Sequence, residues 1–149
     1  MLKKSNQKGF TIIEVLIVLA IAGLIMLIVF LAVPALQRNS RNTQRKNDAS
    51  AYMGAVSEWM NNNNGKVPST AADVAAINSL AKLNTLTPPT GIPPTGAQTS
   101  VVGVDTMQLV TIAKCDATIG NTTGGSARGF AIRYATETTG TAAPQCIEG

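Results

Sequence analysis

The chain has 149 residues, 45% hydrophobic and only 13% charged, with two cysteines and no histidine. Lacking histidine, it forgoes most catalytic triads and the commonest metal sites, its acids show no calcium-loop spacing, and aromatics at 4% argue against stacking on bases. The net charge of +4 includes Lys3, Lys4 and Lys8, and beyond them nine basic residues face eight acidic ones, which makes no case for a nucleic-acid binder.

A short polar leader ends at Gly9, and an apolar run begins at Phe10. Glu14 is its one charge before Arg38, and from Val15 to Leu36 every residue is apolar, glycine or proline. That meets the roughly 20 residues a helix needs to cross a bilayer. Three explanations compete. A cleavable secretory signal could end near Val33-Pro34-Ala35, but such cores usually span about 7–15 residues. A plain signal anchor explains the length and not Glu14, because an acid costs roughly 2.5–3.5 kcal/mol at a helix centre in a membrane. A helix N-terminus would favour such an acid by about 0.3–1 kcal/mol. The third explanation uses the leader, the glycine and the acid together.

Lys8-Gly9-Phe10-Thr11-Ile12-Ile13-Glu14, continuing through Val15-Leu16-Ile17-Val18-Leu19-Ala20-Ile21-Ala22-Gly23, resembles the class III leader and N-terminal helix of type IV pilins. The resemblance implies cleavage between Gly9 and Phe10 by a prepilin peptidase, N-methylation of Phe10, and assembly roles for Glu14 and Thr11. Glycine before the cut lets the backbone approach catalytic groups without a steric penalty. Cleavage leaves an amine on Phe10, and pairing it with Glu14 of an adjacent subunit would remove two uncompensated charges in one contact.

On this reading residues 1–9 are the leader, 10–36 the transmembrane and filament-core helix, 37–64 its amphipathic continuation, and 65–149 a globular head. The implied fold is α+β: a long N-terminal helix packed on a small antiparallel sheet. From Phe10 to Asn61 one helix would measure about 75–80 Å at 1.5 Å per residue. Gly23 and Pro34 are its expected helix breaks; Pro34 removes the bond to the Phe30 carbonyl and predicts a kink. Arg38, Arg41 and Arg45 fall on one helical face, with Asp48 a turn beyond. They suit either a solvated face against anionic head groups or acids of neighbouring subunits.

Ala49, Tyr52, Met53, Val56, Trp59 and Met60 recur at helical spacing and predict a buried stripe. Asn61-Asn62-Asn63-Asn64-Gly65 ends that helix, with Gly65 or Asn64 suited to the left-handed cap. Ser69 and Thr70 open a shorter helix, Asp73 completing a capping-box arrangement and Val74, Ile77, Leu80, Ala81 and Leu83 forming its buried side. Residues 87–96, rich in proline, read as a turn-rich connector. The remainder predicts strands at Val101–Val104, at Met107–Ala113, at the alternating Phe130–Ala135 and near Gln145–Glu148, with Asp116–Ser126 as an exposed loop.

Cys115 and Cys146 lie beyond an export segment, where an oxidising compartment favours one disulfide over two buried thiols, and the resemblance supports the pairing. Gly120 to Gly125 has phosphate-loop glycine spacing, but Ser126 stands where a lysine should be. Asn121-Thr122-Thr123 fits the glycosylation sequon, which chance explains in a chain this rich in Thr and Asn. No enzyme, cofactor or metal site is expected.

The expected function is a structural subunit of a type IV pilus, inserted as a single-pass precursor in the cytoplasmic membrane and polymerised into an extracellular homo-oligomeric filament. Implied partners are the peptidase that also methylates, an assembly ATPase and its platform protein. Nucleic acid enters only as filament cargo, and adhesion, motility and DNA uptake are equally open. The alternatives are a type II secretion pseudopilin, disfavoured by the expected disulfide and the missing acidic calcium loop, and a plain membrane-anchored exported domain.

Overall fold

The computed structural model describes residues 9–100, 102–117 and 120–149. The leader lysines Lys3, Lys4 and Lys8 lie outside them. Helix α1 runs Ile12–Asn62, 51 residues. Contacts divide the chain into Met1–Gln37 and Arg38–Gly149.

In the first unit no described residue is buried; Phe10 is 90% exposed and Leu31 75%. The helix contains a stretch long and apolar enough to cross a membrane, none of it covered. α1 continues through Gly23 and through Pro34, so neither is a helix break, which corrects that expectation. The reason is local: glycine costs a helix interior only about 1 kcal/mol relative to alanine, and proline forfeits one hydrogen bond while the turns on either side keep theirs.

In the second unit α1 buries Arg45, Asp48, Ala49, Tyr52, Ala55, Val56, Trp59 and Met60. Met53, expected in the stripe, is only partly buried. Asn64 and Gly65 both take left-handed backbone, at φ 56 and 74, and the Gly65 amide donates to the Met60 carbonyl at 2.7 Å, closing the helix. Helix α2, Ala71–Leu80, starts on a complete capping box between Thr70 and Asp73. The Ser69 amide, with help from Thr70, holds the Asp73 carboxyl below its ordinary range. α2 buries Val74 and Ile77, whereas Leu80 is 42% exposed, against expectation, because it sits in the last turn just before the chain turns extended at Ala81.

Among the described residues five strands follow: β1 Met107–Thr111, β2 Ala113–Cys115, β3 Thr122–Gly124, β4 Phe130–Glu137 and β5 Ala142–Glu148. They form two antiparallel sheets, one ordered β1-β4-β5 and a smaller β2-β3 pair. The strand expected across Met107–Ala113 is therefore two. Ile112 between them has φ 53, and its amide and carbonyl bond Gly129 and Gly125 at 2.7 and 2.9 Å. A β-branched residue there costs about 1–3 kcal/mol, which the surrounding bonds must offset.

Residues 102–104 form no strand; the chain instead turns from Gly103 to Thr106. Val101 lies outside the described residues. Asp116–Ser126 is not simply an exposed loop either, since it contains β3 with Thr122 buried. Gly120 packs so closely on Pro144 that an added Cβ would lie 2.2 Å from the ring. Nor is β4 half-buried. Phe130, Ile132 and Tyr134 pack on α1 and α2, while Ala131 on the other face joins Val110 and Ala113 in a second cluster. Each large side chain in the main core contributes roughly 1.5–3 kcal/mol on burial.

Polar groups tie α1 to the rest of the head. The Asp48 carboxylate accepts from the backbone amides of Asn84, Thr85 and Leu86, at 2.6 Å for Thr85. Asn42 exchanges two hydrogen bonds with the backbone of Glu137, at 2.7 and 2.8 Å. Buried Arg133 donates to the carbonyls of Gly120 and Ser100 and to Gln108 Oε1, and burial pushes its guanidinium below its ordinary value. Burial likewise pushes the Tyr52 hydroxyl up, and it donates to Asn78 Oδ1 at 2.9 Å.

Candidate functional site: the start of the long helix

Among the described residues, the side-chain hydrogen bonds of the N-terminal unit lie in one turn. Gly9, Phe10 and Thr11 precede α1, and Thr11 opens the helix by bonding Glu14 reciprocally. The Thr11 amide and hydroxyl both donate to Glu14 Oε2, at 2.8 and 2.6 Å, and the Glu14 amide donates to Thr11 Oγ1 at 3.4 Å. This is a capping box, with threonine at the cap and glutamate three residues on. The spacing Thr11-Ile12-Ile13-Glu14 spells it in the sequence. It also sets the helix start at Ile12, two residues later than expected.

The box uses one carboxylate oxygen twice and leaves Oε1 without a bond among the described residues. Around the carboxylate lie Phe10, Val15, Val18 and Leu19, which form an open apolar groove with it. A neighbouring cation could reach Oε1 while Oε2 kept the cap. A Cβ at Gly9 would meet no described atom within 4 Å, and the Phe10 side chain is exposed.

The other sequence candidates lie elsewhere. Gly23 and Pro34 are further along the same helix and make no part of this turn. Cys115 and Cys146 are bonded to each other in the head, joining β2 to β5. Of the arginines, Arg41 and Arg45 meet an acid of their own chain, Glu137, which corrects both readings of that stripe for these two. Hydrogen bonds from Arg41, then Arg45, hold the Glu137 carboxyl down at about 2. For Arg45 burial works against the charge, but Glu137 and Asp105 outweigh it and its affinity for the proton rises. Among the described residues no group of three His, Cys, Asp or Glu is placed to hold a metal ion.

Residues 4–30, which contain this whole turn, match the prokaryotic N-terminal methylation motif. That match supports a class III prepilin leader, of the kind found in the type IV pilin and pseudopilin family. The motif implies processing by a prepilin peptidase and assembly into pilus-type filaments, and it fits a single-pass precursor anchored by residues in α1. The long helix and the small antiparallel head form the α+β, pilin-like architecture expected with such a leader. No curated protein and no solved structure matches the chain.

Proposed function

We propose that this chain is a structural subunit of a type IV pilus, cut between Gly9 and Phe10, N-methylated at Phe10 and polymerised through the first half of α1. Its work is mechanical and not catalytic. The reading rests on one observation: Glu14, with one oxygen uncommitted, is the only charge on a helix surface that is uncovered from Ile12 to Leu36. Such a surface is stable in lipid or against copies of itself. The single acid selects between those states, because an amine from the Phe10 of a neighbour satisfies it and lipid does not.

Two measurements test this. Mass spectrometry of mature protein should find an N-terminal methylated Phe10; a retained leader would overturn the reading. Glu14→Ala should be cut and inserted normally yet lose roughly tenfold or more of its sheared surface fibre, given the cost of stranding one charge of a buried pair. Ordinary fibre yield from that variant, with no wild-type copy present, would remove the assigned role. If the chain never appears in sheared fibres but is processed, it belongs to a secretion pseudopilus instead.

A further inference from the structure

Of the three arginines that follow the apolar run, two are held by carboxylates of the head. Arg41 donates to Glu137 Oε2 from Nε at 3.2 Å and from Nη2 at 2.7 Å. Buried Arg45 meets Glu137 Oε1 at 2.7 Å and Asp105 Oδ1 at 3.0 Å. Arg38 differs: no ion pair among the described residues involves it. It is nevertheless half-buried, lining a groove of about 440 Å³ with Val104, Glu137, Thr138, Gly140 and Thr141.

The groove has the chemistry of a phosphate oxygen site. Its one acid, Glu137, already gives an oxygen to each of the other arginines. Its remaining side-chain polar groups are two hydroxyls: Thr138 donates to the Thr141 carbonyl at 2.8 Å, which leaves the Thr141 hydroxyl, 2.8 Å from that of Thr138, as the one that can turn its proton outward. A guanidinium with no carboxylate partner, beside a hydroxyl donor, suits a phosphate. The position along the helix names the source. Arg38 is the first charge after Leu36, about 3 Å of helical rise past the end of the apolar run, which is headgroup depth for a segment ending there.

We propose that Arg38 and the turn between β4 and β5 bind the phosphate of an anionic phospholipid in the leaflet on the exported side. The contact tethers the head to the bilayer before assembly and is given up when the subunit leaves the membrane. It rests on residues 10–36 being a membrane span and is independent of polymerisation.

The test uses the full chain in nonionic detergent micelles doped with equal phosphatidylglycerol and phosphatidylcholine, read by native mass spectrometry. The wild type should retain phosphatidylglycerol preferentially. Arg38→Gln should lower that preference about fivefold, the worth of one basic side chain at an anionic surface. Arg38→Lys should keep part of it, and Lys114→Gln on β2 should leave it unchanged. Equal retention of the two lipids, or an Arg38→Gln variant indistinguishable from wild type, overturns the inference. So does displacement of the lipid by millimolar inorganic phosphate, which would mark a site for a soluble anion. Flotation with liposomes separates the two levels. A chain that floats without lipid preference loses only this inference, whereas one that fails to float at all loses the membrane span with it.

Discussion

The two halves of α1 are the same helix and meet opposite surroundings. From Ile12 to Leu36 nothing is buried, and the polar side-chain bonds are those between Thr11 and Glu14. From Arg38 to Asn62 eight residues are buried, and the two charged ones, Arg45 and Asp48, have partners supplied by strand ends and loops of the same chain. The second half is finished by one subunit. The first half is unfinished, because an uncovered apolar surface of this length is not stable in water, and under the proposed function lipid covers it before assembly and other copies after. Under that reading, stability and assembly fall on separate stretches of one element.

That separation can be broken by showing that a change in one half is felt in the other. The largest expected effect belongs to the first half: Glu14→Ala should abolish most fibre while leaving the melting curve of the head unchanged. A shifted melt would show the halves to be coupled. In the head, replacing Cys115 and Cys146 with serine should cost about 3–4 kcal/mol, from opening a loop with a sequence separation of 31. Urea unfolding measures it, and Phe10 methylation should be untouched.

A subtler effect is one of pH. Glu137 titrates at about 2 in the folded head against an ordinary value of 4.5, so its contribution is complete above the ordinary value and lost as the pH falls towards 2. Stability of the wild type should fall through that window, and Glu137→Gln should flatten the slope; an identical slope in both would discard the clasp. The smallest expected change is Thr70→Ala, which removes the cap of α2 and should lower stability by about 1 kcal/mol.

How much of this could be read in advance depended on whether the partners were near in sequence. Local periodicity exposed the Tyr52, Val56, Trp59 and Met60 stripe, and local spelling exposed the Thr70–Asp73 box and the leader. The alternation of Phe130, Ile132 and Tyr134 with Arg133 suggested one wet face. That face is dry because the small sheet and the 96–100 and 120 segments close over it, which no pattern within β4 records. Arg41 and Arg45 looked free because Glu137 lies more than ninety residues away, at a separation of 96 from Arg41 and 92 from Arg45. The Thr11–Glu14 box was legible and was overshadowed by the acid's cost in lipid, when one carboxylate can serve both purposes with different oxygens.

The left-handed joint at Ile112 has a consequence for how the head comes together. β1 zips onto β4 and β2 onto β3, and the two ladders share that single intervening residue, pinned at both its amide and its carbonyl. A frameshift of one position in either ladder would flip every side chain to the wrong side and tear the joint from Gly125 and Gly129. The registers of the two ladders are therefore coupled through one residue, and a slip in either is opposed by the bonds that hold the other.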